Sequence, residues 1–429
     1  MKSARGSMVD VLVVGAGPAG LSAAIAVAER GRRVLVLDQG MRPGGQIWRH
    51  RHVGSLPPPA RTMLERASSL GVVIASDARV VDAISPNELV VAFRGRIDRQ
   101  HTRALILATG ARERLLPFPG WTLPGVVGVG GLQALIKSGV SLAGARVVIA
   151  GTGPLIFPVA AAAARAGADL LLVAEQAPLG SVLSFGGSLM SKPEALKEAA
   201  SYRVAFRKAP FRTGSWVTAA EGFGRLQRAV LSVRGTSLTL DCDWLAAGAG
   251  LVPSTELAQI LGCTTAHGAV DVDDLQGTSV GGVWAIGECT GVKGDAAAIV
   301  EGEIAGRAAV GDTDGARSGA LQRRRNRGRA FGWRLARAFA PRAELLQLAT
   351  DDTIICRCED VRRGEIDPEW TARQAKLWTR VGMGECQGAV CGTACAALFG
   401  WEGNVARPPI GGPMVGEWGE ELGKNSSSS

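Results

Sequence analysis

Two stretches of the chain repeat one hydrophobic pattern. Each has a β-branched run, a glycine turn, an alanine-rich apolar run, and a second apolar run that closes on an acid. The first is VDVLVVGAGPAGLSAAIAVAERGRRVLVLD, ending at Asp38; the second is ARVVIAGTGPLIFPVAAAAARAGADLLLVAE, ending at Glu175. Short β-branched runs with a helical run between them predict strand–turn–helix–strand units, hence α/β architecture with parallel strands. ALILATG and VWAIGE are further buried strands ending in glycine turns. The uncharged runs Val11–Ala28 and Val147–Ala164 reach the lower edge of membrane-spanning length. The Gly-Pro turn in each splits it into strand and buried helix, so neither is read as a membrane segment.

Composition changes this picture little. The 429 residues are 46% apolar with 58 glycines, which suits a globular chain of several domains with many tight turns. Charge changes it more. Arg317–Arg342 holds nine arginines and no acid, which accounts for the whole net charge of +9. A nucleic-acid binder spreads basic residues over a folded face, so that class is set aside. A solvated linker or helix and a docking strip for an acidic partner or a phosphate both stay open. The first run resembles a secretory leader, yet cleavage there would destroy the glycine turn. The chain therefore reads as cytoplasmic, and in that reducing compartment its eight cysteines are expected as thiols or metal ligands.

In the first unit Gly15, Ala16, Gly17, Pro18, Ala19 and Gly20 form the dinucleotide turn. Gly15 permits the tight turn, Gly17 the approach of a pyrophosphate, and Gly20 the packing of helix on sheet. The helix N-terminus offers unpaired N–H groups to phosphate. Asp38, followed by Gln39, stands where a ribose is held. The second unit keeps Gly151 and Gly153 but has Ile156 in place of the third glycine, so its helix must stand off or shift. With Glu175 at the ribose position it admits a second nucleotide; a bare scaffold is the equal alternative.

No cysteine occurs before Cys242, so thiol–disulfide chemistry beside the first site is not expected. Cys242, Cys263 and Cys289 read as small buried hydrophobes. His50 and His52 alternate with Arg49 and Arg51, and a polar loop is favoured over a catalytic role. No catalytic base is identified, which favours electron handling over substrate oxidation. Near the end, Cys356 and Cys358 form C-x-C, and Cys386 and Cys391 form C-x4-C. Two thiolate pairs suit two irons of a [2Fe–2S] cluster; zinc and plain thiols remain alternatives on spacing alone. Cys395 is read as a spare.

These motifs carry a resemblance. Gly44, Gly45 and Gln46 just past Asp38, Thr109-Gly110, and the returning Gly287-Glu288 look like the FAD-contacting pieces of glutathione-reductase-like two-dinucleotide flavoproteins. Glu288 stands where these flavoproteins usually have Asp, a departure normal in the more particular family named below. CRCEDV with GMGECQGAVCG resembles the bacterioferritin-associated-ferredoxin-like (BFD-like) cluster domain. With PFPGWTLPGV, AGTGPL, GLVPSTEL, AIGECTG and RPPIGGP, almost the whole chain is similar to the alpha subunits of hetero-oligomeric dye-linked amino-acid and opine dehydrogenases, which include hydrogen cyanide synthase. The resemblance implies a discontinuous FAD domain (1–120 and 266–312), an inserted NAD(P)-like domain (121–265), an Arg-rich linker (313–345) and a small iron–sulfur domain (346–429). It implies bound FAD and a [2Fe–2S] cluster on Cys356, Cys358, Cys386 and Cys391. In some members FMN sits between subunits, and ATP or NAD(P) in the second nucleotide site. It also implies two partners: an FAD-containing, amino-acid-oxidase-like beta subunit, and a small ferredoxin-like gamma subunit. The chain is expected in the cytoplasm, and peripheral attachment to the inner membrane through the complex stays open. The alternatives kept are an NAD(P)H-dependent flavin reductase and a nucleotide-binding scaffold.

Overall fold

The computed structural model describes residues 8–50, 56–190, 193–401 and 406–410. The chain forms two compact units. One comprises Met1–Arg112 and Val252–Trp333 with the chain end; the other comprises Glu113–Leu251 and Arg334–Asn404. The first unit is therefore discontinuous, and the thiol-bearing segment shares a unit with the second glycine motif.

In the first unit β1 (Val9–Val14), α1 (Pro18–Ala28), β2 (Val34–Asp38) and β3 (Val73–Ser76) lead to a meander of β4 (Ala78–Ser85), β5 (Glu88–Phe93) and β6 (Arg96–Leu107). The order across the sheet is β3-β2-β1-β6-β5-β4. The twelve-residue strand β6 serves two partners. Its first half pairs antiparallel with β5, and its second half lies parallel to β1. β1 and β2 are apolar on both faces, as strands covered on both sides must be. α1 is buried along nearly its whole length, which accounts for its lack of a polar stripe.

The second unit repeats the plan with β7 (Val126–Val127), α2 (Val129–Lys137), β8 (Arg146–Gly151), α3 (Ile156–Arg165), β9 (Asp169–Glu175), β10 (Phe211–Thr213) and β11 (Trp244–Ala247). Its order is β10-β9-β8-β11-β7, all parallel. Both long apolar runs thus divide into strand, turn and helix. Among the described residues no helix is long and apolar enough to cross a membrane.

The chain then returns to the first unit. β12 (Val283–Ala285) pairs parallel with β6, and α4 (Asp295–Ala309) packs on α1. The packing is close: a Cβ on Gly302 would lie 2.3 Å from the Ala19 carbonyl oxygen. The arginine-rich segment forms the twenty-residue helix α5 (Gly319–Ala338). Leu321, Arg325, Gly328 and Gly332 line its buried face, at the spacing of one helical stripe. Arg325 is 4% exposed and donates to the Asp274 carbonyl and carboxylate. This arginine is a folding contact, while Arg317, Arg323, Arg324, Arg327 and Arg329 stay exposed.

Back in the second unit, a short hairpin, Ile354–Cys356 with Val361–Arg362, precedes α6 (Ala372–Thr379) and α7 (Cys391–Phe399). A small core of Ile355, Cys356, Val361, Ile366, Ala375, Val381, Cys391 and Cys395 joins them.

Candidate functional site: a flavin cradle and a thiol loop

The glycine turn of the first unit has the geometry its spacing implies. Gly15 has φ +110°, and a Cβ there would lie 2.2 Å from the Ala108 carbonyl oxygen. Gly17 caps α1 with no side-chain hydrogen bond, and Pro18 opens the helix, so the first-turn N–H groups are free for a ligand. A Cβ on Gly17 would meet nothing nearer than the Gly45 Cα at 4.0 Å. Space, not packing, makes that position glycine. Gly44 donates its N–H to the Ala16 carbonyl at 2.8 Å, which draws the Gly44-Gly45 segment, with Gln46 beyond it, over the turn. Thr109 donates its hydroxyl to the Ser254 carbonyl at 2.7 Å, and Ser254 N–H donates to Gly110, tying the two crossovers of the unit together. This open groove of backbone N–H groups fits the pyrophosphate of a dinucleotide.

Asp38 folds back onto the turn. Its carboxylate accepts from Ala16 N–H at 2.5 Å and from Gly40 N–H at 2.7 Å, beside Gln39. Each oxygen keeps a lone pair for a ribose hydroxyl. Burial raises its pKa against those two bonds. Glu288 is half-buried beside Gly287, and burial raises its pKa as well.

Sequence reading missed the group beneath Gly287. Glu301, 1% exposed, accepts the Gly287 N–H at 2.9 Å and pairs with Lys293 Nζ at 2.6 Å. Lys293 also donates to the Thr290 carbonyl and hydroxyl. The pair fixes the loop between β12 and α4. The one lysine among the three acids of GVKGDAAAIVEGEIAG, at Lys293, was the signal.

His50 Nδ1 donates to the Trp48 carbonyl, 3.0 Å away, and the ring lines a cavity of about 350 Å³ with Arg42, Arg61 and Glu65. His52 and the end of RPPIGGP lie outside the described residues. Cys242, Cys263 and Cys289 are buried, and burial pushes the Cys242 and Cys289 thiols up to about 11.

In the second unit Cys356, Cys358, Cys386 and Cys391 come together. The Cys391 thiol meets those of Cys356, Cys386 and Cys395, and Cys386 meets Cys358. The Cys391 thiol as donor holds the pKa of Cys356 down to about 6 and that of Cys386 to about 4, while Cys391 itself is pushed up. Backbone N–H groups of Gly382, Glu359 and Cys358 turn toward Cys356, and those of Val390 and Gly388 toward Cys386. Gly384 lies so close that a Cβ there would be 2.3 Å from the Cys358 Cβ. Cys358 is exposed, Cys386 half-buried, and the other two buried. Among the described residues, no three His, Cys, Asp or Glu side chains are grouped as a metal site. Four soft thiols in two pairs, with N–H groups aimed at sulfur, are nevertheless a donor set that fits two irons.

Trp121, from PFPGWTLPGV, donates its indole N–H to the Ile354 carbonyl at 2.7 Å, two residues before Cys356. Arg357 lies over the same ring, 5.3 Å from its centroid. The tryptophan of that motif thus anchors the first thiol pair, a role its position in the sequence did not disclose.

At the second glycine turn, Glu175 accepts from Gly153 N–H and Ala177 N–H, both at 2.8 Å. α3 begins at Ile156, whereas α1 begins directly after Gly17. The missing third glycine is accommodated by this late start. Glu113, unmarked in the sequence, accepts from Gly130 N–H at the start of α2 at 3.1 Å; burial raises its pKa to about 7.

The chain belongs to the pyridine nucleotide-disulphide oxidoreductase family, whose profile matches residues 9–308. More particularly, it is 32% identical to an opine oxidase subunit of Rhizobium meliloti (strain 1021), over 96% of this chain and 98% of that protein. It is 33% identical to the hydrogen cyanide synthase subunit HcnB of Pseudomonas aeruginosa, over 90% of this chain and 91% of that one. Among solved structures, an L-proline dehydrogenase from P. horikoshii superposes with TM-score 0.67 at 19% identity, covering 96% of this chain and 79% of that one. The resemblance to the dye-linked subunit family is borne out, and the chain is an FAD-dependent oxidoreductase.

Proposed function

We propose that this chain is the electron-transfer alpha subunit of a flavin-dependent amino-acid or opine dehydrogenase. The observation that carries the reading is end-to-end similarity to the Rhizobium opine oxidase subunit, in a chain whose second unit gathers four thiols. FAD would be held by the Gly15–Gly20 turn, Asp38, Gly44–Gln46, Thr109, Gly110, Gly287 and Glu288. A [2Fe–2S] cluster would be held by Cys356, Cys358, Cys386 and Cys391. Bound there, the flavin supplies exchange between two-electron and one-electron transfer, and the cluster supplies one-electron transfer.

This chain's own residues do the positioning. The α1 N-terminus neutralises phosphate charge, the Lys293–Glu301 pair holds the loop carrying Gly287, and Trp121 with Gly384 sets the thiol pairs. Amine oxidation would take place on an FAD-containing partner. FMN at the interface and a small ferredoxin-like protein would complete the complex, which would be cytoplasmic.

The test is turnover. The purified chain alone is mixed with L-proline, hydroxyproline or an opine and a dye, and compared with the complex copurified from its source. The proposal expects dye reduction by the complex only. Substantial turnover by the chain alone contradicts it.

A further inference from the structure

The second glycine turn is covered by the chain itself. α5 ends at Ala338, and the residues after it run across Gly151-Thr152-Gly153 within the second unit. The Phe339 ring lies 3.7 Å from where a Cβ of Gly153 would stand. That is the place a dinucleotide's pyrophosphate uses, because the second glycine exists to let phosphate approach. Thr152 donates its hydroxyl to the Phe339 carbonyl at 3.3 Å, and Gln176 donates to the Ala340 carbonyl at 3.0 Å. Arg342 N–H returns a bond to Gln176 Oε1 at 3.1 Å, and the Arg342 guanidinium lies over Trp216, 4.7 Å from its centroid. Phe339 meets the Phe185 ring edge-on at 5.1 Å.

The chemistry of this cover matches the ligand it stands in for. A helix C-terminus leaves carbonyls without intrahelical partners and carries partial negative charge. Thr152 and Gln176 satisfy the carbonyls of Phe339 and Ala340, the first two residues past α5, where a phosphate would have been met. Glu175 accepts from Gly153 and Ala177 N–H groups as Asp38 does at its own turn, but it is only 1% exposed, against 8% for Asp38. Beside the strand ends, a cavity of about 50 Å³ remains, lined by Gly151, Gln176, Trp216, Gly248, Leu345 and Arg357. Sites for small organic ligands run to about 300 Å³ or more.

We propose that Phe339–Arg342 is the built-in occupant of the second dinucleotide site. The domain takes neither a pyridine nor an adenine nucleotide there and serves as the dock that holds the thiol-bearing segment. NAD(P)H is thereby removed from the donors of this chain, and electrons enter from a partner. The inference stands on the second unit's geometry, and it deepens the relay reading without depending on the cluster or the amino substrate.

The experiment uses the full FAD-loaded chain. NADH, NADPH and ATP are titrated anaerobically to about 1 mM, the upper range of ordinary substrate constants, with equilibrium dialysis and flavin absorbance as readouts. The expected result is no saturable binding and no flavin bleaching by either reduced nucleotide. Stoichiometric binding of any of the three, or bleaching, overturns the proposal. Hydrogen exchange adds a positive signature. The amides of Gly153 and of residues 339–342 are slow in the native chain, and in Phe339→Ala or the milder Gln176→Met they speed up together, roughly tenfold or more. Fast exchange of these amides in the native chain also overturns it. None of these readouts involves iron or amine turnover, so failure here is distinct from failure of the relay reading.

Discussion

The Glu175 carboxylate accepts the Gly153 N–H at 2.8 Å, and Asp38 accepts the Ala16 N–H in the corresponding place of the first unit. The side chain longer by one methylene reaches one residue further along its glycine turn. Each acid also accepts from the amide two residues beyond itself, Ala177 or Gly40. At both turns an acid ending the second strand braces the loop between the first strand and the helix.

That relationship predicts a pH dependence. Burial raises the Glu175 pKa to about 7, well above an ordinary carboxyl. A group whose pKa is higher folded than unfolded gives its full stabilisation below the unfolded value and loses it as pH rises through the folded value. Between about pH 4.5 and 7 the wild type should lose on the order of 2–3 kcal/mol relative to Glu175→Gln. Calorimetric melting of both proteins across this range checks it. A wild-type-minus-variant difference that grows with pH would have the wrong sign.

The buried Lys293–Glu301 pair predicts a larger effect. Lys293→Met leaves the Glu301 carboxylate buried without its cation and should cost about 3–5 kcal/mol. The double variant Lys293→Met with Glu301→Gln should recover most of it. Melting temperature and flavin release on dilution are the readouts, and equal damage in single and double variants would refute the pairing argument.

At the thiol loop, Gly384→Ala pushes a methyl into the Cys358 Cβ. It should lower iron per FAD severely while leaving FAD content intact. Trp121→Phe keeps the ring and removes the bond to Ile354, so a partial loss of iron is expected. Metal analysis of the purified proteins decides both.

Cys391→Ser and Cys395→Ser separate ligand from neighbour. Cys395 is buried beside Cys391, in the first turns of α7. Serine at Cys391 should abolish the cluster's visible absorbance, and serine at Cys395 should leave it. The opposite order would move the fourth ligand to Cys395.

The local parts of this molecule were readable from its residues. The turn Gly15–Gly20, the acids Asp38 and Glu175, and the thiol spacing all lie within single strand–turn–helix or loop segments, where chain geometry alone relates the groups. What escaped depends on burial or on distant contacts. Arg325 reads as one more solvated charge and is buried against Asp274. Glu301 acts through Lys293 and Gly287 only once α4 lies on α1. Trp121 and Phe339 meet their partners across long stretches of chain, and no local periodicity encodes that pairing.

The central claim is best tested in the native complex. It is copurified anaerobically, analysed for iron and acid-labile sulfide, and given its amino substrate under an absorbance and electron-spin-resonance readout. The account predicts two irons and two sulfides on this chain, flavin bleaching, and a reduced [2Fe–2S] signal that Cys391→Ser removes. Zinc in place of iron, or a cluster that stays oxidised while substrate is consumed, would contradict it.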